Sequence, residues 1–158
     1  MTSLKILVIS DSHDNIANLE HVMGFAKKIN AEAVIHCGDW NNVEAVKTVL
    51  SFGIPLYSVL GNADVDPEVE NSLKKQSKKF DPYFLKCELD GRKIGVIHNI
   101  RHLVSNIESL SILFFGHWQK QKEIYWNGIR AINPGALENE INFAVYDTKK
   151  KEVEFVSI

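Results

Sequence analysis

The sequence predicts an α/β fold in which two β-sheets pack face to face with helices outside them. Short apolar strands alternate with amphipathic helices over residues 5–60, a pattern typical of a parallel sheet with right-handed crossovers. Beyond residue 80, strand-like segments are paired around short turns, which indicates antiparallel hairpins. The length of 158 residues suits one compact domain, and no internal repeat or low-complexity linker divides it. We therefore expect residues 1–158 to form a single domain.

The N-terminal part supplies the strand–helix alternation. Each strand is a short run rich in branched apolar residues, and these runs lie at 5–10, 33–36 and 55–60. Apolar residues at helical spacing predict one helix from Ile16 to Ala26, with Asn15 as its N-cap, and a second from Val43 to Leu50. The polar stretch 64–79 is expected to be a short exposed helix or a loop.

The C-terminal part is mostly antiparallel. The predicted hairpins pair 83–89 with 93–98, 123–126 with 129–133, and 143–146 with 153–156. Asp90-Gly91 and Asn127-Gly128 are strong two-residue turn signals for the first two hairpins. Between these hairpins, a weak helical pattern over 103–110 precedes a buried strand at 112–115.

Composition excludes several classes of protein. Hydrophobic residues make up 45% and charged residues 24%, and the net charge is −2, so neither disorder nor non-specific nucleic-acid binding is expected. No apolar run approaches the ~18 residues of a membrane span, and the N-terminus has no signal-peptide pattern. Cys37 and Cys87 lie in or beside apolar segments and are expected to be buried free thiols. A cytoplasmic protein without membrane contact is the resulting expectation.

Residues of metal-ligand type follow several of the predicted strands. They are Asp11, His13, Asp39, Asn62, His98 and His117. Ligands of open α/β sheets bind beyond the carboxyl ends of the strands, so these side chains are expected at one edge. Carboxylates, imidazoles and an amide oxygen form a mixed set that suits manganese, iron, zinc, cobalt or nickel. The absence of cysteine from this set argues against a structural zinc site.

Each of these residues also has an ordinary structural explanation. Asp11 or Asp39 alone would more often cap the following helix, and Gly61-Asn62 alone would more often be a turn. His98 alone could be a core histidine. The metal-site hypothesis therefore rests on their joint occurrence at strand ends. The other histidines are interpreted as structural or surface residues, although His102 is close enough to His98 in sequence to lie near the site.

Taken in order, these short motifs resemble those of the calcineurin-like metallophosphoesterases, in particular the small archaeal and bacterial phosphodiesterases. The matching motifs are Asp11-Ser12-His13, Gly38-Asp39, Gly61-Asn62, His98, Gly116-His117 and Asn133-Pro134-Gly135. The resemblance implies a four-layer αββα sandwich of two mixed β-sheets flanked by helices.

The resemblance also implies a dinuclear metal site. The first metal position would be held by Asp11, His13 and Asp39. The second would be held by Asp39, Asn62, His98 and His117, with Asp39 bridging the two. Two divalent ions are implied, with manganese preferred and nickel, zinc, iron or cobalt as alternatives.

The implied activity is hydrolysis of phosphodiester bonds by a hydroxide held between the two ions, with these six residues as the catalytic set. A small phosphodiester is the expected substrate, and nucleic acid is expected only as a substrate. The apolar edge hairpins are compatible with a homodimer.

Three positions depart from the family pattern. Gln119 stands where the family has a histidine, so we expect it to be a weaker ligand of the first metal and the activity to be modest. Ala63 replaces a histidine that assists the leaving group, which favours substrates with good leaving groups. His98-Asn99-Ile100 keeps the ligand but lacks the following glycine and second histidine.

Other functions compete with the enzyme. The same departures leave open a catalytically weakened member of the fold that acts as a protein-interaction scaffold. A nucleotide-binding module is disfavoured because no glycine-rich phosphate loop occurs. No motif links Cys37 or a serine to a base and an orienting group, so a covalent nucleophile is disfavoured as well.

Overall fold

The polypeptide folds into two mixed β-sheets with helices against them, as the sequence predicts. The computed structural model describes residues 4–104 and 106–158. Its helices are α1 (Ile16–Lys28), α2 (Val43–Leu50), α3 (Pro67–Gln76) and a 3₁₀ helix at Ile100–His102. Its strands are β1 (Lys5–Ile9), β2 (Ala33–His36), β3 (Leu56–Ser58), β4 (Lys79–Phe80), β5 (Phe84–Leu89), β6 (Arg92–Ile97), β7 (Ile112–Phe115), β8 (Lys122–Trp126), β9 (Ile129–Asn133), β10 (Asn142–Asp147) and β11 (Glu152–Ser157).

The first sheet has six strands in the order β11-β10-β1-β2-β3-β4. Strands β1 to β4 are parallel to their neighbours, and the β10–β11 hairpin adds an antiparallel edge to β1. Parallel neighbours require a crossover, and α1, α2 and α3 provide these connections. The carboxyl ends of β1, β2 and β3 therefore meet at one edge, which is where the site lies.

The second sheet has five strands in the order β5-β6-β7-β9-β8. Its outer pairs, β5–β6 and β8–β9, are antiparallel hairpins, and its inner pairs are parallel. Strands β6 and β7 thus also point their carboxyl ends in one direction. His98 and His117, which follow these two strands, therefore lie at one edge of the second sheet.

Three apolar layers hold the sheets and helices together. Leu7 and Ile9 face α1 and α2, whereas Ile6 and Val8 on the same strand face the second sheet. Because β1 is covered on both faces, its sequence is continuously apolar rather than alternating. The outer face of the second sheet is covered by the 3₁₀ helix and the segment that precedes β7, with Ile107 and Leu110 buried against it.

The structure refines several predicted elements. The strand expected over 55–60 is shorter in the structure, at Leu56–Ser58, and the two-residue strand β4 was not predicted. The segment 103–110 contains no α-helix among its described residues, and position 105 lies outside them. The apolar residues of the predicted pattern are nevertheless packed against the second sheet.

The polar stretch 64–79 forms α3, which buries Val69 and Leu73 against the first sheet. Asp66 caps this helix and Pro67 occupies its first turn. Both cysteines are free and buried, as expected. Among the described residues, every helix is too short or too polar to cross a membrane.

Candidate metal centre

Side chains from five separate segments converge at the carboxyl edge of the two sheets. The five segments follow β1, β2, β3, β6 and β7, and they carry, in this order, Asp11 with His13, then Asp39, Asn62, His98 and His117. The donor atoms of Asp11, His13 and Asp39 all lie within 4.8 Å of one another. The sequence-predicted residues of the first metal position are therefore neighbours in space.

The capping explanation for the two aspartates is wrong. Helix α1 is capped by Asn15, whose side chain accepts a hydrogen bond from the Asn18 N–H, as the sequence predicts. Helix α2 is capped by Asn42, which accepts from the Ala45 N–H. Asp11 and Asp39 take no part in these caps, although both are almost completely buried.

Asp11 presents one oxygen to the centre. Its Oδ2 accepts hydrogen bonds from the Ser10 hydroxyl at 2.5 Å and from the His117 N–H at 3.0 Å. Its Oδ1 lies 3.7 Å from His13 Nε2 and 3.9 Å from His98 Nε2. The carboxylate is thus oriented by one oxygen and faces both imidazoles with the other.

Asp39, like Asp11, accepts a hydrogen bond with one oxygen and faces both histidines with the other. Its Oδ1 accepts a hydrogen bond from the Ala63 N–H at 2.8 Å. Its Oδ2 is 3.4 Å from His13 Nε2 and 3.3 Å from His98 Nε2. A bridging role would therefore use the single atom Oδ2 rather than one oxygen for each ion.

The two histidines are oriented through their Nδ1 atoms. His98 Nδ1 lies 2.8 Å from the Cys37 carbonyl oxygen, and His13 Nδ1 lies 3.1 Å from Asn41 Oδ1. These acceptors require a proton on Nδ1, so Nε2 is the ring atom that faces the carboxylates and that is available to a metal ion. This is the arrangement by which outer partners orient imidazole ligands of metal ions.

The remaining predicted ligands surround His98 or lie farther out. Asn62 Oδ1 is 3.0 Å from His98 Nε2, and the His117 ring meets the His98 ring edge-on with centroids 5.2 Å apart. Gln119 is exposed, and its carbonyl oxygen accepts from the Ala136 N–H. The role of Gln119 as a ligand stays a prediction.

Electrostatics separate the two aspartates. Burial raises the pKa of Asp11 and is only partly opposed by His98 and by the hydrogen bonds from Ser10 and His117. Burial acts on Asp39 in the same sense, but His98 and the Ala63 N–H outweigh it and lower its pKa to about 2. The pKa of His98 is raised, because Asp39 and Asp11 favour the imidazolium more than burial disfavours it.

The loops that carry these residues are packed too tightly for side chains at two glycines. A Cβ on Gly61 would lie 2.1 Å from Asp39 Oδ1, and one on Gly116 would lie 2.1 Å from Ser10 Oγ and 2.8 Å from Asp11 Oδ2. The glycines of the Gly-Asn and Gly-His motifs therefore allow close approach to the two carboxylates.

Several residues that sequence reasoning did not select support the centre. Asp64 accepts backbone hydrogen bonds from Asp39, Trp40, Asn41 and Gly61 at 2.7–2.9 Å and so joins two ligand loops. His36, interpreted from sequence as structural, is completely buried between Ser12 Oγ and the Gly38 N–H, 3.0 Å from each, and stacks on Trp40. The sequence offered no signal for these supporting roles beyond the polar residue types of the loops.

A cavity of about 430 Å³ opens beside His98 and His117. The apolar part of its wall is formed by Leu60, Pro82, Tyr83 and Ile97. Its polar groups come from Asn62, Asn99 and His102. The Tyr83 hydroxyl donates a hydrogen bond to the His102 carbonyl oxygen and ties the two sides of the wall together.

The donor set fits a divalent metal centre. The carboxylate-to-imidazole separations of 3.3–3.9 Å exceed an ordinary hydrogen bond. Ligand atoms at about 2.0–2.2 Å from a common ion are themselves roughly 3–4 Å apart. The pairs assigned to one ion, Asp11–His13, Asp39–His13 and Asp39–His98, lie at 3.3–3.7 Å. The structure thus has the donors of a mixed oxygen and nitrogen site, oriented toward a common point.

Comparison with known proteins gives one consistent result. A family model described as the calcineurin-like phosphoesterase superfamily domain matches residues 4–151. Phosphodiesterase MJ0936 of Methanocaldococcus jannaschii is 25% identical, over 94% of this chain and 96% of that protein.

Solved structures agree in fold over nearly the whole chain. A novel archaeal phosphodiesterase superposes with a TM-score of 0.82 at 23% identity, covering 98% of this chain and 100% of the other. Yfce, a phosphoesterase from E. coli, superposes with a TM-score of 0.72 at 16% identity, with coverages of 98% and 100%.

Proposed function

Because this chain belongs to the calcineurin-like phosphoesterase superfamily, we propose that it is a metal-dependent phosphodiesterase. The observation that carries the proposal is the position of Asp39 Oδ2, 3.4 Å from His13 Nε2 and 3.3 Å from His98 Nε2. A structural carboxylate would be expected to hydrogen-bond one partner closely rather than face two imidazoles at ligand-to-ligand separation. The similarity to phosphodiesterase MJ0936 supports the same reaction class.

The chain offers two adjacent metal positions. Asp11, His13 and Asp39 would hold the first ion, with Gln119 as a weak additional donor, and Asn62, His98 and His117 would hold the second together with Asp39. When bound, two such ions neutralise charge on the phosphoryl group and lower the pKa of water, so that a hydroxide nucleophile is available near neutral pH. The oxygen-rich first position favours manganese over softer ions.

The protein's own groups orient these ligands and the substrate. Ser10 and the His117 N–H hold Asp11, the Ala63 N–H holds Asp39, and the Cys37 carbonyl oxygen keeps the His98 proton on Nδ1. The cavity beside His98 receives the ester group of the substrate. Because much of its wall is apolar and includes Tyr83, we expect small phosphodiesters with an aromatic or apolar ester group.

The absence of an acid at Ala63 determines which substrates react fast. A positioned general acid typically increases the reaction rate by about 10²–10⁴-fold, and its absence slows substrates with poor leaving groups the most. Aryl phosphodiesters should therefore be hydrolysed much faster than alkyl phosphodiesters. Equal rates for the two would contradict this assignment of leaving-group chemistry.

The test combines metal content with turnover. Purified protein is analysed by mass spectrometry for metals, and hydrolysis of an aryl phosphodiester is followed with added manganese, nickel or chelator. We expect chelator-sensitive turnover and a drop of more than about 100-fold in Asp39→Asn, since even outer-shell partners of metal ligands contribute about 10–100-fold. Asp14→Asn is the matched control, because Asp14 is an exposed aspartate of the same region.

The scaffold function is the competing outcome of this experiment. Protein that contains no metal, shows no chelator-sensitive turnover and behaves identically with Asp39→Asn would be a binding module on this fold.

A further inference from the structure

Glu138 brings a carboxylate to the edge of the first metal position, although nothing in the family motifs selects it. It lies after β9, beyond the Asn133-Pro134-Gly135 turn. Its Oε2 is 3.9 Å from His13 Nε2, and its side chain is 42% exposed. The carboxylate therefore reaches inward from the solvent side of the centre.

The backbone that carries Glu138 is attached to the ligand loop. The Leu137 N–H donates to the carbonyl oxygens of Ser10 and Asp11 at 3.1 and 3.2 Å. The Asn15 side-chain amide donates to the Glu138 carbonyl oxygen at 2.7 Å, and the Asn18 amide does the same for Leu137. The position of Glu138 is thus fixed relative to Asp11 and His13.

The turn before Glu138 is anchored to the other ligand-bearing loop. The Asn133 side-chain amide donates to the carbonyl oxygens of Gly116 and Trp118 at 3.1 and 3.3 Å. Gly135 has a φ of 86°, and a Cβ there would lie 2.8 Å from Asn142 Cβ. Glu138 therefore belongs to a segment clamped between the loops that carry His13 and His117.

Glu138 is the third carboxylate that faces His13 Nε2, beside the proposed ligands Asp39 and Asp11. Asp39 Oδ2, Asp11 Oδ1 and Glu138 Oε2 lie 3.4, 3.7 and 3.9 Å from this nitrogen. None of these three contacts is an ordinary hydrogen bond. The donor atoms of Asp11, His13 and Asp39 all lie within 4.8 Å of one another, and Glu138 lies at the border of this group, in contact with His13. His13 Nδ1 is already oriented by Asn41 Oδ1, so His13 does not need Glu138 for its orientation.

We propose that Glu138 supplies a carboxylate ligand to the ion held by Asp11, His13 and Asp39, in place of the imidazole that Gln119 does not provide. This inference rests on the proposed function. Gln119 and the segment around Glu138 are neighbours, since the Gln119 backbone carbonyl oxygen accepts from the Ala136 N–H and Gln119 lines a cavity with Asn139 and Glu140. Because the Glu138 side chain is 42% exposed, it would reach the ion by rotation about its side-chain bonds.

The chemical consequence is a first position with three carboxylates and one imidazole. Oxygen donors favour manganese, whereas imidazoles suit zinc, so Glu138 would shift this position toward manganese. The second position keeps two histidines and an amide. The two positions should therefore differ in metal preference.

The test is manganese and zinc titration by calorimetry on metal-free protein. Glu138→Gln should weaken one of the two manganese binding events by about 10-fold or more, the least expected for a lost direct ligand, and leave the other unchanged. Glu140→Gln, an exposed glutamate two positions away, should bind as the wild type does. Glu138→Asp keeps the charge but shortens the side chain by one methylene, so a direct ligand should lose affinity in this variant too.

A double-mutant cycle locates the effect on one ion. Gln119→His should raise zinc affinity, and the gain should be larger in Glu138→Gln than in the wild type, because both residues act on the first position. Equal gains in both backgrounds, or a wild-type affinity in Glu138→Gln, would overturn the inference. A Glu138→Asp variant that binds as the wild type does would show a distant charge effect instead of ligation.

Failure of this inference is distinguishable from failure of the proposed function. Wild-type protein that binds two ions and hydrolyses an aryl phosphodiester, with Glu138→Gln unchanged in binding, removes only the role of Glu138. Wild-type protein that binds no divalent ion removes both. Far-ultraviolet circular dichroism of each variant verifies that the comparison is made on folded protein.

Discussion

At the scale of single residues, the centre is built on unusual backbone conformations. Asp11, His13, Asp39 and His117 have φ values of 52°, 43°, 68° and 72°, in the left-handed region that non-glycine residues rarely adopt. Each such residue costs of order 1–3 kcal/mol and persists only where its surroundings enforce it. The hydrogen bonds of Asp64 and of the Asp11 carboxylate provide that enforcement. Four of the ten non-glycine residues with positive φ among the described residues are therefore proposed ligands.

The raised pKa of His98 predicts a specific pH dependence for the metal-free protein. A histidine whose pKa is raised by folding stabilises the protein below its unfolded pKa, near 6.5, and loses that contribution as pH rises through the folded value. In chelator, the free energy of unfolding of the wild type relative to His98→Gln should therefore be larger at about pH 6 than at about pH 8.5. Urea unfolding at both pH values measures this difference.

The other buried histidine, His36, should not contribute to this difference in the free energy of unfolding. His36 is buried and its pKa is lowered well below the usual value by desolvation, so it stays neutral across the same pH range. A constant difference between wild type and His98→Gln across the range would contradict the coupling of His98 to Asp39 and Asp11.

At the scale of elements, the ligand loops are held to each other as well as to their strands. Asp64 lies after β3 and accepts backbone hydrogen bonds from residues 39, 40 and 41 after β2. It also accepts one from Gly61 in its own loop. Burial raises the pKa of Asp64, and these donors act against that shift by stabilising the carboxylate. Together with the hydrogen bond from the Ala63 N–H to Asp39 Oδ1, this side chain sets the position of Asp39 relative to Asn62.

Asp64→Asn should destabilise the fold and the metal centre together. The amide group would present N–H donors to two of the backbone N–H groups, which we expect to cost about 2–4 kcal/mol. Urea unfolding measures the loss of stability, and manganese titration should show weaker binding. Asp66→Asn is the matched control, since Asn is as good an N-cap as Asp and α3 should keep its cap. Equal stability of the two variants would show that the loop contact is dispensable.

At the scale of the whole molecule, the centre joins the two sheets. Asp11 and Asp39 come from the first sheet, and His98 and His117 come from the second. The interior between the sheets is apolar, with Val8, Ile35 and Phe114 completely buried. A metal ion at this edge would therefore add a further link between the two sheets.

Metal binding should accordingly stabilise the whole protein. A ligand at about 100 times its dissociation constant adds roughly 2.7 kcal/mol, which corresponds to a rise in Tm of roughly 5–10 °C for a protein of this size. Differential scanning fluorimetry with manganese and with chelator measures the shift. Asp39→Asn should shift much less, and an identical Tm with manganese and chelator in the wild type would contradict a metal centre between the sheets.

The sequence could identify some residues of the candidate site and not others. Asp11, His13, Asp39, Asn62, His98 and His117 could be selected from sequence because each comes directly after an apolar strand or close to its end, and parallel strands end together. The roles of Asp64 and Glu138 could not, because each lies well beyond the end of its strand, in a loop, and acts through a contact with a distant loop. The helix expected over 103–110 failed because apolar residues of an irregular covering segment also recur at short spacing.

The amino-acid sequence by itself determined the order of strands and helices, the mixed oxygen and nitrogen donor set and the edge at which it gathers, since apolar periodicity and residue type are local properties. Only the tertiary structure decided that Asp39 faces both histidines through Oδ2, that Asp64 joins two loops and that Glu138 approaches His13. The reason is physical: distances of 3–4 Å between residues up to 125 positions apart (His13 and Glu138) depend on how layers and loops pack, and no local pattern encodes them.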